Sequence, residues 1–196
     1  IYYINYNAFM EQLTLNISNK SEIKIIASSA YNFRIELVKE IGKDDIKELI
    51  DVSKDLATIF DNKIFLTEKN ILKYFNKNTY PFLARLNGEI IGYIIGAPLE
   101  YFKKESWTRY DTNLSKNNTI YTYAFIINKK YRKKGGYGKT LKKIYLNWIK
   151  KNGYIYNTGH VAQGKSKKFT SKTEIVKIFQ NWYGAKTPFE YYRRIL

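Results

Sequence analysis

Apolar and polar positions recur in two rhythms along this chain, and each rhythm predicts an element. Across residues 31–41, Phe33, Ile35 and Leu37 fall at every second position, the pattern of a half-buried strand that Gly42 ends. Asp44 and Asp45 then open a helix with a core stripe of Ile46, Leu49, Ile50, Val52, Leu56, Ile59 and Phe60; its acids lie at the N-terminus, where the helix dipole favours them. Thr67 is placed to cap a second, short helix through Phe75. Residues 80–86 and 89–97 read as a hairpin joined by Asn87-Gly88, the strongest short turn signal, and Pro98 ends it. Residues 99–118 form a polar connection longer than a hairpin loop, expected to be a functional flap. Residues 119–127 are an uncharged, strongly β-prone run. After them, Leu141, Ile144, Tyr145, Trp148 and Ile149 make one helical stripe at i, i+3, i+4, i+7 and i+8. A fifth strand is predicted over 154–161 and a helix over 171–183, opened by the capping box Ser171-x-x-Glu174; a last strand covers 189–195. Residues 1–30 are the least patterned: 1–6 read as a strand, 22–27 as either a strand or one turn of helix.

The chemistry concentrates between the 119–127 strand and the helix after it. There the chain reads KKYRKKGGYGKT, ending in Gly135-Gly136-Tyr137-Gly138. Glycines admit positive φ and bring backbone N–H groups close to a ligand, and a helix N-terminus adds unpaired donors and a positive dipole end. Lys129, Lys130, Arg132, Lys133, Lys134 and Lys139 crowd the same turn, an arrangement that repels itself unless an anion lies there. We read the stretch as a phosphate cradle. A Walker A loop is excluded because Lys133 stands where its first Gly belongs; a dinucleotide fingerprint is excluded because Leu141 stands where its third Gly belongs.

What remains, Lys133-x-x-Gly136-x-Gly138 preceded by Tyr131-Arg132, resembles the pyrophosphate-binding motif of the GNAT superfamily of N-acetyltransferases. The phrase FLARLNGEIIGYIIG resembles that family's second and third strands, and the predicted order βααβββαβαβ over 31–196 is the family's order. The resemblance implies an α/β fold, a GNAT-like mixed central sheet with helices on both faces, preceded by an extension over 1–30. It also implies acetyl-CoA as the acetyl donor. Lys133, Lys134, Gly135, Gly136, Tyr137, Gly138, Lys139 and Thr140 would hold the diphosphate. The pantetheine arm would enter between splayed fourth and fifth strands and pair with backbone at Phe125, Ile126 and Ile127, the Ile127 N–H facing the thioester oxygen. The helices after the first strand would border the acceptor side.

Two departures bear on the proton path. The fourth strand offers Tyr121, Thr122 and Tyr123 where many family members carry a Glu, and aligning Gly184 with the family's late Gly puts Gln180 where a Tyr commonly stands. The catalytic candidates are therefore Tyr183 and His160, the chain's one histidine, whose ordinary pKa near ~6.5 suits a general base. Glu174 reads as a cap. These gaps fit either proton removal through ordered water or a fold that has kept its shape and lost its chemistry.

Composition changes the picture in one respect. At 196 residues, 44% hydrophobic and 17% aromatic, the chain is long enough for a substantial core. It has no cysteine, hence no disulfide and no thiol nucleophile, as suits a cytoplasmic protein using direct transfer; no metal and no membrane association are expected. It opens on Ile1 and not Met, as a fragment of a longer protein would. The net charge of +17, however, is confined. Residues 1–113 balance 15 Lys/Arg with 15 Asp/Glu, whereas residues 114–196 set 19 Lys/Arg against Glu174 and Glu190. Coenzyme A uses only part of that charge, so an acidic protein or RNA is a candidate partner. Two readings besides the N-acetyltransferase stay open: a basic module binding nucleic acid or an acidic protein, and an inactive GNAT-like domain that holds acyl-CoA.

Overall fold

The structure is a computed structural model that describes residues 17–30, 32–57, 60, 66–170 and 172–196. One eight-stranded sheet forms the frame. Its strands are β1 (Glu22–Ser28), β2 (Phe33–Glu40), β3 (Tyr80–Leu86), β4 (Glu89–Pro98), β5 (Thr119–Ile127), β6 (Tyr156–Ala162), β7 (Thr173–Phe179) and β8 (Phe189–Ile195), in spatial order β1-β2-β3-β4-β5-β6-β8-β7. The helices are α1 (Lys43–Ala57), α2 (Ile71–Tyr74) and α3 (Tyr137–Lys151). The mixed α/β architecture with helices on both faces is as expected. Ile46, Leu49 and Val52 of α1 pack with Leu83, Tyr93, Ile95 and Ile126 on one face. Leu141, Tyr145 and Ile149 of α3 pack with Phe82, Ile91, Ile94 and Ile120 on the other. Each such side chain gains about 1.5–3 kcal/mol from burial, so the two helices clamp the central strands from both sides.

Local sequence carries much of this. Asn87 (φ 50°) and Gly88 (φ 89°) take the left-handed conformations that a two-residue hairpin needs, and they set the β3–β4 register. The first predicted strand is β2, and the predicted helix at Asp44 is α1, which ends at Ala57, before Phe60; Ile59 lies outside the described residues. Residues 22–27 resolve to the strand option: β1 pairs with β2 as an edge of the same sheet, although it falls within the predicted N-terminal extension. The predicted strand over 1–6 lies outside the described residues. The connection at 99–118 is tied down, with Leu99, Trp107, Asp111 and Asn113 buried. Asp111 accepts from Tyr191 Oη and Arg193 Nη1, each at 2.6 Å, which fastens this segment to β8.

Two predictions fail: α2 has Asn70 and not Thr67 at its N-cap, and the helix over 171–183 does not form. Residues 173–179 are β7, paired antiparallel with β8. Ser171 lies outside the described residues, and Glu174 is bonded to Arg193 at 2.6 Å. Ile175, Val176, Ile178 and Phe179 are β-branched or aromatic, and with a ready partner strand in β8 those preferences override the local capping pattern.

The sheet divides at one place. All strand pairs are antiparallel except β5–β6, which pair in parallel over only four positions, from Thr119↔Tyr156 to Thr122↔Gly159. β5 then continues along β4 to Ile127, while β6 continues along β8 to Ala162. The result is a fork whose closed end lies at Thr122 and Gly159.

Candidate active site

The loop at the open end of the fork is built as a cradle. Asn128 caps a 3-10 turn over Lys129–Tyr131, its side chain accepting from Lys130 N. Lys133, Gly135 and Gly136 then take φ of 61°, 56° and 66°. For Lys133 that left-handed conformation costs roughly 1–2 kcal/mol, which other contacts of the loop must offset. A Cβ on Gly135 would stand 2.5 Å from the Tyr137 ring, whereas one on Gly136 would project into open space beside the helix N-terminus. Gly138 sits in the first turn of α3, where a Cβ would lie 3.2 Å from Ile127 Cγ1 and 3.6 Å from Phe125 Cζ. Its bare Cα lets α3 close against the end of β5. The N–H groups of Tyr137, Gly138 and Lys139 have no helical carbonyl one turn back and face outward as donors.

Acids divide the loop's cations into two sets. Arg132 is held by Ile127 O (Nε, 2.7 Å) and Asp55 (Nη2, 3.5 Å), and Lys130 and Tyr131 face Glu89 at 3.7 and 2.6 Å. These contacts brace the turn against α1 and β4. Lys133, Lys134 and Lys139 are exposed and have no carboxylate partner among the described residues. A diphosphate fits this donor set: open N–H groups, space over Gly136 and three uncommitted ammonium groups.

The open edge of β5 leads from the cradle to the closed end of the fork. Asn128 N donates to Ile91 O at 2.8 Å. Strand alternation from that bond turns the backbone of Ile126 toward Tyr93 on β4 and leaves the N–H and C=O of Phe125 and the N–H of Ile127 facing the fork, the Ile127 C=O being taken by Arg132 Nε. Of the three residues expected to pair with a donor arm, Ile126 is therefore corrected: it pairs with β4. Near the closed end, Ile95 faces Ala124 and Gly96 faces Thr122, so Tyr123 is the extra residue of a β-bulge. Bulges twist a strand and re-aim its groups, and this one sits where β5 and β6 part. It depends on a count across two strands and has no local sequence signal.

Side chains at the closed end fall on opposite faces. On the α1 face, Tyr123 stacks on Tyr74 (centroids 4.7 Å apart) and donates to its hydroxyl at 3.0 Å; burial raises the Tyr123 pKa. On the α3 face, Thr122 Oγ1 lies 3.2 Å from Tyr145 Oη and accepts from Asn157 Nδ2 at 2.8 Å, and Tyr192 Oη donates to Asn157 at 3.4 Å. Burial raises both phenols, Tyr192 to about 12, so they stay protonated donors at neutral pH. The sequence reading missed this chain because its members come from α3 and three strands.

His160 lies just past the closed end, but not as an ordinary histidine. Its ring is stacked on Trp182 at 3.5 Å and on Tyr191 at 4.7 Å, with Trp107 edgewise and Phe179 tilted. Nδ1 is 2.9 Å from Tyr121 Oη, and Nε2 is buried without a hydrogen-bond partner. Burial pushes the pKa down to about 2. The expected base with a pKa near ~6.5 is thus corrected to a neutral, aromatic-walled ring. Tyr183, 55% exposed, sits in the turn after β7 and donates to Glu105 at 3.2 Å. Its pKa is raised by partial burial and then by Glu105, which favours a proton donor over a base.

Comparison with known proteins agrees with this fold. The model of the acetyltransferase (GNAT) family matches residues 46–172, ending where β7 replaces the expected helix. No curated protein matches the chain in sequence. Among solved structures, the GCN5-related N-acetyltransferase from Kribbella flavida aligns with a TM-score of 0.61 at 10% identity, covering 86% of this chain and 100% of its own. Ribosomal-protein-alanine N-acetyltransferase from Brucella melitensis gives 0.57 at 14% identity, covering 78% and 95%. An aminoglycoside 6'-N-acetyltransferase complexed with coenzyme A gives 0.55 at 12% identity, covering 79% and 92%. At these identities the likeness is one of fold. Among the described residues, no helix is long and apolar enough to cross a membrane.

Proposed function

The chain belongs to the acetyltransferase (GNAT) family, and from that premise we propose that it moves an acetyl group from acetyl-CoA directly to a primary amine. The observation that carries this reading is the continuity of cradle and fork. Gly138, two residues past Gly136, lies against Phe125 and Ile127, which present the open edge of β5, and that edge ends at the Tyr123 bulge. Bound there, the donor supplies a thioester carbonyl for the amine to attack. Lys133, Lys134, Lys139 and the first-turn N–H groups of α3 hold its diphosphate, and the backbone of Phe125 and Ile127 pairs with its arm. The thioester is at the opposite end of that arm from the diphosphate. Ile127, next to the cradle and four residues or roughly 13 Å from Tyr123, therefore serves the arm rather than the carbonyl oxygen.

The proton balance is simple. The amine nitrogen gains a bond to the carbonyl carbon, and the carbon–sulfur bond breaks with its electron pair going to sulfur. The thiolate takes a proton from solvent to depart as free thiol, and the amine's proton must leave. His160 cannot take it near neutral pH, so the proton leaves through solvent on the acceptor face, where Tyr183 and Glu105 are exposed. The missing Cys agrees with direct transfer.

The test is release of free thiol from acetyl-CoA with amines, peptides and aminoacylated RNA as acceptors, alongside calorimetric binding of the donor. Amine-dependent thiol release supports the reading. Tight binding without turnover identifies a domain that keeps the cofactor and has lost the chemistry, and no binding overturns the reading. A second reading is favoured by the three exposed lysines without carboxylates: the acceptor is carried on an acidic protein or RNA. Its mark is acceptor affinity that falls steeply with salt.

A further inference from the structure

The face of the sheet beneath α3 carries two cations without a counter-ion. Arg194, on β8, is 8% exposed, and its Nε and Nη2 are buried with no hydrogen-bond partner. Its guanidinium lies 5.4 Å from the centre of the Phe169 ring. Across the fork, Lys142 leaves the flank of the α3 stripe and sets its ammonium 5.7 Å from the Phe125 ring centre and 5.6 Å from that of Tyr145. Burial, then the charge of Arg194, pushes the Lys142 pKa down to about 7. The nearby carboxylates are committed elsewhere: Glu174 and Asp111 to Arg193, and Glu190 to the N–H groups of Gly164 and Ser166. Neither Lys142 nor Arg194 has an ion pair among the described residues.

Arg194 is buried and Lys142 partly buried, and like charges held in such surroundings are unfavourable; π-faces compensate only a small part of that cost. A group of opposite charge would remove the repulsion and supply the acceptors that Arg194 lacks. Phe125 is the link to the proposed activity, because its backbone lines the open edge of β5 and its ring carries Lys142.

We propose that Lys142 and Arg194 form an oxyanion site, for a carboxylate or phosphate group, on the donor molecule lying along the open edge of β5. The assignment of the anion to the donor rests on the acyl-CoA reading; the anion site itself does not. Two sources carry this chemistry. One is the free carboxylate of a dicarboxylic acyl group, which would make succinyl-CoA a better donor than acetyl-CoA. The other is the coenzyme's 3'-phosphate.

The test uses the full chain, wild type and the variants Lys142→Met, Arg194→Met and Gly138→Glu. First, melting temperature is followed as succinate or inorganic phosphate is added. A saturating rise in wild type and in Gly138→Glu, lost in Lys142→Met and Arg194→Met, supports the site even where coenzyme A binding fails. No rise in wild type, or an equal rise in all variants, overturns it. Without anion, Arg194→Met melts no lower than wild type, because it removes an unpaired charge; a large drop means the guanidinium is structural and overturns the proposal. Second, calorimetry compares acetyl-CoA, succinyl-CoA and 3'-dephospho-CoA. A tenfold or greater preference for succinyl-CoA that Lys142→Met abolishes places the anion on the acyl group. A tenfold loss with 3'-dephospho-CoA, absent in Arg194→Met, places it on the phosphate. If wild type shows neither the preference for succinyl-CoA nor the loss with 3'-dephospho-CoA, the assignment of the anion to the donor is overturned.

Discussion

The two arms of the fork carry chemistry of different kinds. On the β5 arm it is made from main chain: N–H groups at the start of α3, glycines with positive φ, and the outward-facing backbone of Phe125 and Ile127. On the β6–β8–β7 arm it is made from buried side chains: His160 between Trp182 and Tyr191, Arg193 against Asp111, and Arg194, whose Nε and Nη2 have no hydrogen-bond partner among the described residues. A main-chain site needs only a short run of the right residues, and it tolerates change in most side chains. A side-chain site needs the register of several strands, and its paired members are costly to remove. The first kind suits a ligand that is always the same; the second suits whatever sets acyl or acceptor choice.

Each arm can be broken separately. The largest effect is expected from Asp111→Ala, which strips the anion from Arg193 and the acceptor from Tyr191; about 3–5 kcal/mol of unfolding free energy should be lost in urea denaturation. On the other arm, Gly138→Glu places a side chain against Ile127 and a negative charge at the diphosphate. Donor affinity should fall at least about 100-fold, or roughly 2.7 kcal/mol, with stability little changed.

The smaller effects depend on pH and salt. His160 is held near 2 when folded against ~6.5 when unfolded, so between those values the unfolded chain binds more protons. Stability should therefore fall as pH drops below ~6.5, with a slope approaching about 1.4 kcal/mol per unit, and His160→Phe should flatten that slope. Lys142 is also depressed, to about 7 from 10.5, so its unfavourable burial is fully felt below pH 7 and relieved as pH rises. The gain in melting temperature between pH 7 and 9.5 should shrink in Lys142→Met. Smallest, Lys133→Ala or Lys139→Ala should weaken donor binding only a few-fold, about 0.5–1 kcal/mol, and reduce its dependence on salt.

This contrast also explains what could be read in advance. The Asn87-Gly88 hairpin, the β5–loop–α3 unit and the Asp44 helix each rest on local rules, and each formed as expected. The glycine loop was legible because positive φ and an unfilled helix N-terminus are properties of a few adjacent residues. The helix over 171–183 was misread because a capping box is local, whereas the pairing of Ile175 and Ile178 beside β8 is not. The Tyr123 bulge is a difference of one residue between two strands, and Ile126 turns toward β4 by the alternation that the pairing sets. His160 looked like an ordinary base because its walls, Trp107, Trp182 and Tyr191, come from three distant segments. Lys142 was visible only as a lysine flanking the stripe of Leu141 and Tyr145.

Pairing of the donor with the open edge of β5 is tested directly by amide-resolved hydrogen exchange. Without donor, the Phe125 and Ile127 amides should exchange quickly and that of Ile126, bonded to β4, slowly. Saturating acetyl-CoA should slow Phe125 and Ile127 and leave Ile126 unchanged. If Phe125 and Ile127 exchange at the same rate with and without saturating donor, the edge is not where the donor binds and the proposed function is wrong.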